Sequence, residues 1–585
     1  MPLPVPGCTI NLNGAPIDLE VMKQLLDVTV RDSLLLPDTA LVRFRDPKGT
    51  LVGDRQWTVG GTLEVKFART EGEQLVTTFK GEIVAIEPEY GEGDVIVAFR
   101  AYDRGWRLNR SRRSATYHDM TASDMVKQVA QKEGLQPGTI EPGGPKYDVF
   151  QQSMETNWEF CWRLARLRNL EFVVDDSTCH FRKRETKAAV ATLTRNATRE
   201  DEPLLMFKPR LSGMGQVQTV EVRNHDPKSR QPVVSKVAEA TIPHKSPAIE
   251  SRAQAVAALG AGPVVVADRV TDAQDEATEI AKTTLDRLAS SFLEAEGAAY
   301  GNPAIRAGTT VTLEGVHQFS GDYVLSETTH RFGGGGRKYR TSFVISGRTT
   351  HRFRDLLRTD GTTDWGSSLV IGIVTNNLDK DGETETKLGR VKVKYRGLGD
   401  DIESGWARVV VPHAGKDRGM FFIPQVGDEV VVAFEHGDTR RPLIIGSLFN
   451  GQDKPPEQLL AASSSGGGKD PLFGVKTPHE AYVESQQQMT LRSHEKMTIE
   501  VNKDGQKGTG DYTLKAEGKI DESAGTSIKH AAKTTYEVDA GSSVKIKGTG
   551  GITIESSAGI TLKGTTVDIQ ANAAVNIKGQ MINLG

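Results

Sequence analysis

The chain has 585 residues, room for three or four domains, with 73 basic against 76 acidic residues, so charge gives no case for nucleic acid or an anionic membrane as main partner. Aromatic residues are 6% and glycines number 60, a balance that suits many short strands and turns over large helical cores. Three irregularly spaced cysteines, Cys8, Cys161 and Cys179, fit neither a disulfide framework nor a zinc site and point to a reducing compartment.

The opening MPLPVPGCTINLNG has no basic n-region or apolar h-region, and no run approaches 18 apolar residues. Synthesis in the cytoplasm without a signal peptide or membrane-spanning helix is therefore expected. Residues 1–355 read as a mixed, mostly β region. Segments 62–69, 78–90 and 94–103 alternate apolar and polar residues as half-buried strands do.

Three helices interrupt these strands. The first follows Thr121 as N-cap, with Asp124 at N3, Val126, Val129 and Ala130 on one face and Gly134 as its stop. The second opens on a Thr156/Glu159 capping-box pattern, with Phe160, Cys161, Leu164 and Ala165 as its stripe. The third is placed from a Thr271/Gln274 pattern, with Ile280, Ala281, Leu285, Leu288 and Phe292 as its apolar face. The four glycines at 333–336 lack the strand-to-helix setting of a phosphate loop and read as a hairpin.

A polar stretch at 356–368 reads as a linker. In 369–451 five strand-like runs (IGIVTNN, RVKVKY, WARVVVPHA, DEVVVAF and PLIIGSLF) predict a small closed barrel of OB type. Residues 452–480, rich in Gly, Ser and Pro, form a connector too short for a catalytic domain.

From 481 to 585 the sequence repeats every eight residues. Pairs of alternate residues recur at Ala481/Val483, Met489/Leu491 and Met497/Ile499. After a glycine-bearing insertion they resume at Tyr512/Leu514 and run in register through Ile520/Glu522, Ile528/His530, Tyr536/Val538, Val544/Ile546 and Ile552/Ile554 to Ile560/Leu562. Single-residue slips then give Val567/Ile569, Val575/Ile577 and Ile582/Leu584. Each repeat is one short strand with two inward side chains and a turn, which cannot offset the entropy of ordering itself. Three chains, each giving one wall, would enclose an apolar axis and leave no lateral edge. Thirteen stacked strands would make a shaft of roughly 60 Å. The alternative, a single-chain parallel β-helix as in polysaccharide-binding solenoids, usually needs longer coils.

The block GRVKVKYRGLGDDIESGWARVVVPHAGKDRGMFFIPQVGDEVVVAFEHGDTRRPLIIGSLFNG (389–451) resembles the OB domain of the VgrG and phage central-spike family. TASDMVKQVAQKEGL, QQSMETNWEFCWRLARLRNLEFVVDD and residues 301–332 resemble the late-control gene D tail-hub family. The resemblance implies a mainly β chain: a tail-hub region with two β-barrels and helical inserts, an OB-fold barrel, and an intertwined triple-stranded β-helix. It further implies a homotrimeric spike that joins tail tube and baseplate to a PAAR-repeat tip protein. Such a spike pierces the target membrane transiently on sheath contraction and delivers effector cargo. Residues 7–46 (GCTINLNGAPIDLEVMKQLLDVTVRDSLLLPDTALVRFRD) look most like spikes of extracellular contractile injection systems, which implies a phage-tail-like particle released from the cell; a type VI secretion VgrG or a phage tail spike is the alternative. A receptor-binding fibre would end in a knob and has no need of hub or OB block.

No catalytic residues, cofactor or dedicated metal site are expected. Carboxylate pairs such as Asp400/Asp401 and the run Glu200/Asp201/Glu202 read as solvated turn charges. His530 falls on an inward octad position, one repeat after Glu522. Three copies on an axis could hold a metal or anion, but a neutral histidine layer bonded through water is the preferred reading. Cys161, on an apolar helix face, reads as core. Met581, Ile582, Asn583, Leu584 and Gly585 would present open strand edges and an apolar axis, and are expected to dock the tip protein.

Overall fold

The computed structural model describes residues 7–584 except 71, 93, 199–201, 227–230, 270, 272, 334–337, 348–367, 382–383, 387, 396, 400, 456–473, 478–479 and 502–509. The chain divides into two compact units, Met1–Lys476 and Thr477–Gly585. The expected linker, except Ser368, and most of the connector lie outside the described residues, as do Asp400, Glu200 and Asp201 of the carboxylate runs.

The backbone of the first unit is one fifteen-stranded sheet laid over two separate apolar cores. Alternation drives it. In Thr39–Arg45 the residues Ala40, Val42 and Phe44 are fully buried while Arg43 and Arg45 face solvent. Val28, Phe67 and Phe99 join the first core; Val311, Leu313, Tyr323 and Phe343 build the second. The halves meet where Leu25–Ser33 pairs antiparallel with Glu327–Gly333, in unbroken register from Ser33 opposite Glu327 to Asp27 opposite Gly333. The two expected barrels are therefore two cores sharing one continuous sheet. Glu327–Gly333 turns back onto Lys338–Ile345, so strands flank the four-glycine segment as a hairpin requires; its residues 334–336 lie outside the described set. Gly297 and Gly301 sit under aromatic rings. A Cβ on Gly297 would come 2.1 Å from the Phe343 ring, and one on Gly301 1.9 Å from that of Tyr339.

A buried ionic cluster ties the halves to the first helical insert. Arg306 Nε donates to Asp32 at 2.8 Å, and its Nη2 lies 3.6 Å from Asp38 and 3.4 Å from Asp175. Asp103 accepts from the Asp38 and Gly105 amides at 2.9 and 2.8 Å. Burial pushes the Asp103 carboxyl up to about 8, against those two amides and with the help of Asp32 and Asp175. Burial raises Asp38 as well.

Helices Ala122–Lys132 and Asn157–Leu167 pack in that insert and both begin with a capping box, the one anticipated at Thr156/Glu159 and another at Thr121/Asp124, where only the N-cap was expected. Cys161 and Cys179 are both buried in this core, and burial raises both thiols, leaving them protonated packing groups. The third helix departs from expectation. It runs Gln274–Ser290 with Ala273 as N-cap, because the Thr271 hydroxyl donates to Glu276 at 2.7 Å instead of capping a Gln274-centred turn. Phe292 lies beyond its end, one residue before strand Leu293–Tyr300, and is buried there. Short helices at Leu19–Lys23 and Arg252–Ala258 were not anticipated.

The five expected runs of the small barrel all appear, in the order Lys392–Lys394, Val370–Asn376, Glu429–Phe434, Pro442–Leu448, Arg408–Val409. Isolated pairings of Val391 with Ala407 and Lys394 with Glu403 link its outer members around Val393, Tyr395, Val430, Val432 and Ile444. Arg440 anchors this barrel to the first helical insert and to a second one, which carries helix Gln274–Ser290. Its guanidinium meets Glu276 at 2.8 Å and Asp438 at 2.8 Å, and stands 5.4 Å from the Tyr147 ring and 5.6 Å from that of Phe150. Gln151 Nε2 donates to the Glu403 carbonyl at 3.0 Å across the same joint.

Candidate functional site: the octad face

In the second unit the eight-residue period is physical. The Ser485 hydroxyl donates to the Gln488 carbonyl at 2.9 Å, and eight residues on Ser493 makes the same bond to Lys496 at 2.9 Å. The chain bends at residues 525–526, 533–534, 541–542, 549–550 and 557–558, then at 564–565, so the slip read between Ile560 and Val567 is a shortened repeat.

Between bends the described residues form no helix or strand, and the apolar pairs are solvent-exposed. Ile552 and Ile554 are 54% and 67% exposed; Ile560 and Leu562 repeat this at 54% and 68%. Among the described residues of this unit no strand pairs with another within the chain. A backbone without internal pairing carries an open donor and acceptor at nearly every residue, and monomers seldom expose so many large apolar side chains in one segment.

Glu522 and His530 interrupt the column together. His530 Nε2 lies 3.7 Å from Glu522, and its ring centroid is 5.9 Å from that of Tyr536. Among the described residues no group of three His, Cys, Asp or Glu side chains within the chain is disposed to hold a metal. At the end of the unit Met581, Ile582 and Leu584 are exposed, Leu584 at 89%. Asn583 is exposed beside them, and Gly585 lies outside the described residues.

The carboxylate run ending at Glu202 has a structural use at that residue. Glu202 pairs with Arg69 at 2.6 Å and accepts from Asn302 Nδ2 at 3.0 Å, joining segments far apart in sequence. Sequence reasoning missed the Arg440 joint. Arg440 lies in a run that marks the barrel, but its partner Glu276 is 164 residues away.

A family profile described as the type VI secretion system/phage-baseplate injector OB domain matches residues 370–449, the five-stranded barrel. A profile described as the Alg8 N-terminal domain matches residues 50–333. The type VI secretion system spike protein VgrG1c of Pseudomonas aeruginosa is 32% identical over 126 residues, 20% of this chain and 17% of that protein. VgrG5 of the same organism is 28% identical over 212 residues, 32% of this chain and 26% of that protein. The alignments thus span only about a sixth to a quarter of these relatives' length. The E. coli c3393 protein is described as a type VI secretion component structurally similar to T4 bacteriophage tail proteins gp27 and gp5. Its structure aligns over 75% of this chain and 99% of its own, at 14% identity and a TM-score of 0.48.

Proposed function

We propose that this chain, which belongs to the VgrG and phage central-spike family, works as the structural spike of a contractile injection system: a homotrimer whose Thr477–Gly585 units wind into one needle. The observation that carries the reading is the exposed octad column, repeating at eight residues on a chain that also bears the injector-type OB barrel. Three such columns facing one another would bury the paired side chains and satisfy each backbone through its neighbours, giving a narrow shaft without lateral edges. Such a shaft resists compression along its axis, as a piercing tip must.

The hub and OB barrel would form the base that meets tube and baseplate. The last pairs, ending in Ile582 and Leu584, would receive a PAAR-type tip protein, and effector cargo would travel on or behind the spike. Glu522 and His530 would form a polar layer on the axis, bonded through water, with no resident metal. The role is mechanical, not catalytic: the curated relatives are named as spike proteins, and two of the three thiols, Cys161 and Cys179, are buried. The curated matches fall on type VI spikes while the N-terminus resembles extracellular systems; the proposed role is common to both. In a strain that assembles the sheathed particle, deleting residues 477–585 should abolish delivery of cargo into target cells. Delivery at the wild-type level without them would overturn the reading.

A further inference from the structure

Helices Asn157–Leu167 and Gln274–Ser290 come from different inserts, and a cleft of about 40 Å³ lies between them. Four arginines line it (Arg166, Arg184, Arg269 and Arg287) against one carboxylate, Glu171. That carboxylate already accepts from Arg184 at 3.0 Å and Arg182 at 3.2 Å. Asp286, buried nearby, accepts from Asn169 Nδ2 at 2.7 Å and from the Thr241 amide. Two further lining groups, the Trp162 indole Nε1 and the Thr283 hydroxyl, are buried with no hydrogen-bond partner. Buried polar atoms are rarely left in this state, and an orphan usually marks a bound water, ion or ligand.

We infer that this cleft is an oxyanion site, taking one phosphate or carboxylate group between the two inserts. The donor chemistry selects the class. A guanidinium and an indole N–H can only donate, and the hydroxyl can donate, so the complement is a group made of acceptors carrying negative charge. Each guanidinium has five N–H donors, so an arginine already engaged elsewhere can still turn one toward the cleft. The volume admits about three waters, the size of one oxyanion and too small for a nucleotide. Binding there would lock the inserts together beneath the OB barrel, because Glu276 on the second helix also holds Arg440. The inference is independent of the needle's assembly.

The test is calorimetric titration of the full-length chain with inorganic phosphate and, separately, with a short Asp/Glu peptide. Trp162→Phe removes the indole donor and keeps most of the ring; Arg166→Gln removes a cation. Saturable binding of phosphate, weakened at least fivefold by Trp162→Phe and tenfold by Arg166→Gln, supports the site and assigns a free anion. The same pattern with the peptide supports it and assigns an acidic protein segment. Thermal melting at zero ligand checks that both variants fold. If Arg166→Gln does not fold, Trp162→Phe alone decides. Absence of saturable binding by either probe, or binding unchanged in the folded variants, overturns the inference.

Discussion

Replacing Arg440 by methionine keeps the length of the side chain and removes its charge. The guanidinium is 18% exposed and holds two carboxylates, Glu276 at 11% exposure and Asp438 at 21%. Burial opposes the charge on Arg440, but Asp438 and Glu276 overcome that and hold its pKa above the ordinary arginine value. The substitution leaves both carboxylates without this cation. Breaking a buried pair from one side costs about 3–5 kcal/mol, and the partial exposure here argues for the lower end, about 3 kcal/mol. Thr271 still donates to Glu276, so its desolvation is partly offset. The loss falls mainly on the joint between barrel and inserts, because a methionine still packs on the Tyr147 and Phe150 rings of the insert core. Local opening at the joint should therefore rise roughly a hundredfold. Hydrogen exchange resolved by peptide is the assay, since a chain of several domains has no single unfolding equilibrium. Peptides over 274–290 and 428–448 should exchange faster in the variant while those over 39–45 do not change. Adding Glu276→Gln should recover part of the loss by removing a stranded charge. Exchange within threefold of wild type at both peptides would refute the argument that Arg440 holds the joint.

The Asp103 carboxyl, held near 8 by burial, sets a pH dependence with a definite sign. The folded chain keeps that proton between about pH 4 and 8 while the unfolded chain has lost it, so this group's contribution to stability falls as pH rises through that window. Corrected for the intrinsic exchange rate at each pH, the hydrogen-exchange protection of peptides over 95–105 in wild type relative to Asp103→Asn should decline from pH 5 to pH 8; a flat or rising ratio would contradict the assignment. If the proposed trimer docks a PAAR-type protein at its end, Ile582→Asp or Leu584→Asp should sharply reduce co-purification of that protein while the oligomer persists, since each would place three charges beside the proposed axis; equal binding by a chain cut at Lys578 would move the docking face elsewhere. Purified protein should show no turnover of peptidoglycan or polysaccharide, and activity lost on mutating a carboxylate pair would overturn the structural role.

What the sequence made legible follows from how local each signal is. The Thr121/Asp124 and Thr156/Glu159 boxes close within four residues, so the pattern contains the whole interaction. Thr271 offered the same pattern, but Glu276 claimed its hydroxyl and the helix began later. The helix Arg252–Ala258 carries only Val256 in the core, too little periodicity to be seen. Strand alternation marked Thr62–Ala68 and Val95–Tyr102, yet could not show that both halves share one sheet, which depends on Leu25–Ser33 meeting a strand some 300 residues away. Likewise Arg306 is 274 residues from Asp32, and the arginine cleft draws on four separate segments. The octads were plain because their period is written in consecutive residues.

What covers the octad face decides how the spike assembles. Light scattering coupled to size exclusion measures it directly on the full-length chain, whose protomer mass is 63.6 kDa. A homotrimer should give three times that mass, persisting on dilution, and a chain ending at Gly451 should associate much more weakly. A well-folded full-length monomer of 63.6 kDa would contradict it.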